Sequence, residues 1–87
     1  MKGQIHANLV LYKPRLRPGN QYRQIVVVES ERFEVRILEG EVLRSDPEFA
    51  ASSEDAEVHF HSDMKSALDD ADKEFRSSAK SGWIPYP

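Results

Sequence analysis

Four cations and a phenol fall within one short stretch of this chain: Lys13, Arg15, Arg17 and Arg23, with Tyr22 beside the last. Ammonium and guanidinium groups at that density pair with phosphate or carboxylate oxygens, and a neighbouring ring offers a face to a base or an apolar side chain. Pro14 and Pro18 stiffen the same stretch, which lowers the entropy lost when a partner is bound. The plainer reading is a solvated hairpin loop kept in water by its charges. Residues 13–23 are therefore the candidate surface for an acidic partner or a polyanion.

A second constellation is Glu57, His59 and His61, which share one face of a strand because alternate residues point the same way. Two imidazoles and a carboxylate resemble part of a zinc or nickel site. A structural site needs four ligands, and nothing in the sequence brings His6, the third histidine, to the other two. The plainer reading is a polar strand edge, and no metal and no cofactor are assigned. Serines, histidines and carboxylates occur at no spacing that defines a nucleophile with its base, so no catalytic residue is named. The four glycines form no phosphate loop, and the absence of cysteine excludes thiolate zinc sites, disulfides and cysteine nucleophiles.

These side chains need elements to hold them. Residues 4–13 alternate as a strand, with Ile5, Ala7, Leu9 and Leu11 on one face and His6, Asn8, Val10 and Tyr12 on the other. A second strand at about 21–29 carries the run Ile25-Val26-Val27-Val28, apolar on both faces as in a central strand. A third, at 32–38, sets Phe33, Val35 and Ile37 against Glu34 and Arg36. Glu39-Gly40 reads as a turn into a short strand at 41–44, and residues 45–56 as an acidic, irregular connection whose Phe49 could anchor a partner. Residues 57–61 form a brief last strand.

The clearest element is a helix over about 63–81. Met64, Ala67, Leu68, Ala71, Phe75 and Ala79 recur at three and four residues as one apolar stripe. Ser62 or Asp63 caps its start, Gly82 its end, and Asp69–Lys73 and Asp72–Arg76 are spaced for ion pairs. Burial of Leu68 and Phe75 would contribute about 1.5–3 kcal/mol each. One helix covers one sheet face, so Val10, Tyr12, Ile25 and Val27 call for a second cover. The candidates are the aromatic tail at 83–87, a curled sheet or a second copy in a homodimer.

With 87 residues the chain is one small domain, 1–87. Net charge is −3, yet residues 1–28 hold five bases and no acid. That asymmetry favours a molecule with a basic and an acidic pole, while the overall negative charge opposes long-range attraction to nucleic acid. No apolar stretch approaches the ~20 residues that span a bilayer, and residues 1–8 lack a signal peptide's apolar core. The expectation is a cytoplasmic protein with no membrane partner.

Phe60-His61-Ser62, Ala67, Ala71, Phe75 and Ser81-Gly82-Trp83 resemble the end of a WGR-type domain. That resemblance implies a small antiparallel sheet, a C-terminal helix and contact with nucleic acid. The family's tryptophan-glycine-arginine signature is absent, the corresponding stretch reading Val35-Arg36-Ile37-Leu38-Glu39-Gly40-Glu41. A meander followed by an Ala-rich helix is also similar in layout to HicB-like antitoxin domains. The expectation is an α+β fold, an antiparallel sheet of four to five strands with one C-terminal helix on one face. Its function is expected to be a non-enzymatic interaction module that binds a protein or other acidic partner through Lys13, Arg15, Arg17, Tyr22 and Arg23. The alternatives are a nucleic-acid-binding domain using the same loop, with Tyr22 stacking, and a small metal protein or enzyme centred on His59 and His61.

Overall fold

Ile25, Val26, Val27 and Val28 follow one another without a polar break, and such a strand must be covered on both faces. The computed structural model, which describes residues 3–14, 19–41 and 46–86, puts them at the centre. The elements are β1 (Gln4–Lys13), β2 (Gln21–Glu29), β3 (Phe33–Gly40), α1 (Pro47–Ser52), β4 (Glu57–His61), α2 (Met64–Lys80) and β5 (Ile84–Pro85). The strands form one antiparallel sheet in the order β4-β3-β2-β1-β5, with α2 packed on it. This is the α+β architecture that the alternation and the helical stripe predict. The fifth strand, however, is β5 at the chain's end. The strand expected at 41–44 lies, from residue 42 on, outside the described residues. Gly40 pairs with Tyr22 within β3 rather than making a turn, and Gly82 is the glycine with positive φ among the described residues.

The strand register assigns the two faces. Leu9 and Leu11 pair with Ile25 and Arg23, and Ile25 and Val27 with Ile37 and Val35. Leu11, Ile25, Val27, Val35 and Ile37 form the main core with Ala67 and Ala71 of α2 and with Trp83. Full burial of each large aliphatic side chain contributes about 1.5–3 kcal/mol. Ile25 and Val27 thus lie under α2, not on the opposite face where the sequence pattern set them beside Val10 and Tyr12. A β-bulge between Ile5 and Ala7 makes a second correction. The extra residue, His6, turns Ile5 away from Ala7, Leu9 and Leu11 and onto the other face, where it packs with Val26, Val28 and Leu38.

That second face is covered by α1, inside the stretch expected to be irregular. Its start was legible in Asp46-Pro47-Glu48: Asp46 Oδ1 accepts the Glu48 amide at 2.9 Å, and Pro47 sits at the first helical position, where no amide is needed. Ala50 is fully buried against Val26 and Val28. Arg36, reaching up from β3, fixes the other end. Its Nε donates to Ala50 O at 3.0 Å and its Nη2 to Ser53 O at 2.7 Å, while Nη1 donates to Glu34 at 2.8 Å.

Helix α2 matches its sequence pattern with one rotation. Asp63, rather than Ser62, caps it, accepting the Ser66 amide at 2.7 Å. Ala67, Ala71 and Ser78 are buried and Met64 and Phe75 pack at the margin, whereas Leu68 is 41% exposed and Ala79 lies outside. The contact line therefore runs through Ser78, not Leu68 and Ala79. Arg76 pairs with Asp72 at 3.0 Å as the spacing suggests, but Asp69 takes Lys65 at 2.8 Å in place of Lys73. At the far end Trp83 N donates to Ser78 O at 3.0 Å and Gly82 N to Ala79 O at 3.3 Å. These are the two bonds of a Schellman motif, which Gly82 permits with φ of 100°. The motif turns the chain back so that Trp83 drops onto the core. No helix among the described residues is long and apolar enough to cross a membrane.

Candidate functional site

The basic stretch divides between the two sheet faces. Arg23 pairs with Leu11 and Glu39 and so lies on the α2 face; Tyr22 pairs with Tyr12 and Gly40 and lies on the other. Arg23 is held within the fold. Its Nη1 donates to Ser78 Oγ at 2.5 Å, its Nη2 lies 3.6 Å from Glu39, and its Cζ stands 5.3 Å from the centre of the Trp83 ring. Arg23 Nε is buried with no hydrogen-bond partner among the described residues. Lys13 Nζ is 5.0 Å from the same ring, so two cations share the one tryptophan. Arg15 and Arg17 lie outside the described residues.

On the opposite face, at the end that α1 leaves free, three tyrosines meet. Tyr86 packs edge-on against both Tyr12 and Tyr22, with ring centres 6.0 Å apart in each case. Its amide donates to Val10 O at 2.8 Å, which stitches the tail to β1 beyond the two β5 pairs. Tyr86 remains 42% exposed. Of the residues that the sequence marks for binding, Tyr22 thus acquires aromatic neighbours, while Lys13 and Arg23 acquire Trp83. Tyr12, Trp83 and Tyr86 were missed as partners of that stretch. Only the β1–β2 register and the return of the tail bring them there.

The histidine strand also gains partners that sequence spacing could not supply. Glu57, His59 and His61 pair with Ile37, Val35 and Phe33 and therefore face α2 along the sheet edge. Asp70 Oδ2 lies 2.9 Å from His59 Nδ1 and 2.7 Å from His61 Nε2, and Glu57 Oε2 lies 2.5 Å from His59 Nε2. Burial, the largest single influence on the His59 ring, pulls its pKa down, but hydrogen bonds and charge from Asp70 and then Glu57 outweigh it. The ring titrates above the ordinary histidine value. For Asp70, burial pushes upward most, yet hydrogen bonds from His61 and His59 prevail and hold the carboxyl below the ordinary aspartate value. His6 stays apart on β1, with its Nε2 2.8 Å from Glu29.

At one edge of the sheet, then, stands a tyrosine surface beside the basic stretch, and at the other a histidine–carboxylate cluster. No family model, curated protein or solved structure matches this chain, so the similarity to WGR-type and HicB-like domains rests on the residues quoted for it and on layout alone.

Proposed function

We propose that this protein is a non-enzymatic interaction module that binds an acidic protein segment at the β1–β2 end of its sheet. The observation that carries the reading is the tyrosine trio. Tyr12, Tyr22 and Tyr86 come together on the part of the face that α1 does not cover, with Tyr86 42% exposed. Phenolic rings supply contact area at low conformational cost and a hydroxyl at the rim, a combination that suits a protein partner. Lys13 belongs to the same end of the sheet, and Arg15 and Arg17 follow it in the sequence. Their positive charge would steer and orient a carboxylate-rich partner. Arg23 has a different role here: tied to Ser78 and stacked by Trp83, it braces the end of the sheet.

The test is a chemical-shift titration of labelled protein with an Asp/Glu-rich peptide containing an aromatic residue, and separately with single-stranded and duplex oligonucleotides. The expected result is shifts at Tyr12, Tyr22 and Tyr86 with the peptide, abolished by Tyr22→Ala and weakened at least several-fold by Arg15→Ala with Arg17→Ala. Shifts of the same residues only with oligonucleotides, falling steeply with salt, would transfer the surface to nucleic acid. Silence towards all three ligands would remove this surface from the function.

A further inference from the structure

We infer that Glu57, His59 and Glu74 form a binding site for a divalent transition-metal ion such as zinc, in the cleft between the β4 edge and α2. One side-chain donor atom from each lies within 4.8 Å of the other two, close enough for a single ion to draw them together. The donors come from two elements packed against each other, with Glu57 and His59 on the strand and Glu74 on the helix.

The geometry round His59 goes beyond a chance meeting of acids. Asp70 Oδ2 sits 2.9 Å from His59 Nδ1, placing a carboxylate to accept a hydrogen bond from that nitrogen. The other ring nitrogen, Nε2, faces the Glu57 carboxylate, with Oε2 2.5 Å away. A contact that close is a hydrogen bond through a proton on Nε2, and a divalent ion drawing His59 and Glu57 together would displace that proton. A carboxylate on one imidazole nitrogen with a cation on the other is the arrangement by which metalloproteins orient and strengthen a histidine ligand. Asp70 is itself positioned by His61, whose Nε2 lies 2.7 Å from the same oxygen. His61 and Asp70 are thus positioning residues, and Glu57, His59 and Glu74 the ligands.

Charge points the same way. Glu57, Asp70 and Glu74 place three carboxylates round this cleft, and none of them is paired with a lysine or arginine among the described residues. One imidazole with two carboxylates and no sulfur suits zinc, nickel or cobalt better than calcium, which takes six to eight oxygens, or copper(I), which prefers thiolates. Three protein ligands leave at least one position for water. Glu57 is 65% exposed, so the ion would enter from solvent and exchange with it.

The experiment is calorimetric titration of the intact protein with Zn2+, followed in parallel by imidazole nitrogen NMR, with Mg2+ as the control ion. The expected result is one equivalent of Zn2+ bound, a large shift of His59 Nε2 and little change at His6. Asp70→Asn should weaken binding by roughly 10–100-fold, the usual loss when such a supporting carboxylate is removed. Glu74→Gln keeps shape and hydrogen bonding on the helix surface, so it should lose affinity without loss of fold, as the amide spectrum would verify. His59→Ala should abolish the site. Failure of Zn2+ to bind at millimolar concentration would overturn the inference and leave a proton on His59 as the positive centre. Equal affinity in Glu74→Gln or His59→Ala, or a response centred on His6, would overturn it as well.

Discussion

Arg36 shows how one side chain decides the fate of a segment. Its side chain is 15% exposed, and the guanidinium supplies donors to two carbonyls at the end of α1 while remaining paired with Glu34. Hydrogen bonds from a charged donor contribute more than neutral ones, and removing the donor strands the acceptors. Arg36→Ala should therefore cost about 2–3 kcal/mol in urea unfolding. Arg36→Lys should recover little, because an ammonium cannot present the same planar fork. Asp63 offers a test by pH. The Ser66 amide bond holds its carboxyl below the ordinary aspartate value of 3.8. A depressed folded-state value means that Asp63 stabilises the fold fully above that pH and that this contribution is lost as pH falls through and below it. Asn caps a helix as well as Asp and does not titrate. Asp63→Asn should thus leave the urea midpoint at about pH 6 nearly unchanged and flatten its decline towards about pH 3.

Helix α2 separates periodicity from burial. Its stripe of apolar residues is wider than the line of contact, and Leu68 sits on the solvent side of that line at 41% exposure while Phe75 packs against the core. Leu68→Ala should change stability by no more than about 0.5 kcal/mol, the range of surface substitutions. Phe75→Ala should cost about 2–4 kcal/mol, somewhat below a fully buried aromatic. Equal losses in the two variants, measured by thermal or urea unfolding, would put the contact line back where the sequence pattern set it. Helix α1 makes the complementary point. Six residues are too few for a stable isolated helix, so it exists because Ala50 and Arg36 dock it on the sheet.

Trp83 joins these parts. It is the single tryptophan, 7% exposed, covered by the cations of Lys13 and Arg23 and delivered by the Schellman turn at the end of α2. Trp83→Ala should cost about 3–5 kcal/mol, a large share of the stability of a domain this small. Its fluorescence should report global unfolding, with a midpoint that coincides with circular dichroism if the domain is two-state. On the second sheet face α1 packs at one end and Tyr86 at the other, which leaves less apolar surface for a second copy to bury. Sedimentation at micromolar concentration should accordingly show a monomer. A dimer that Tyr86→Ala dissolves would instead make the tyrosine surface a self-contact.

The alternation of β1 to β4 and the three-and-four spacing of α2 made the strands, the helix and their antiparallel layout legible, because a half-buried element writes its periodicity into its residues. The caps Asp63 and Gly82 were legible for the same local reason, and so was the basic stretch, as composition. Helix α1 was signalled by Asp46-Pro47 but outweighed by its polar length. The bulge at His6, the exposure of Leu68 and the approach of Asp70 and Glu74 to His59 had no such mark. Each depends on which residues far apart in the chain come to face one another, and a bulge or a few tens of degrees of helix rotation changes that without altering the local pattern. Residue types and local periodicity thus follow from the chain, while the meeting of Glu57, His59, Asp70 and Glu74, and of Tyr12, Tyr22 and Tyr86, follows from packing.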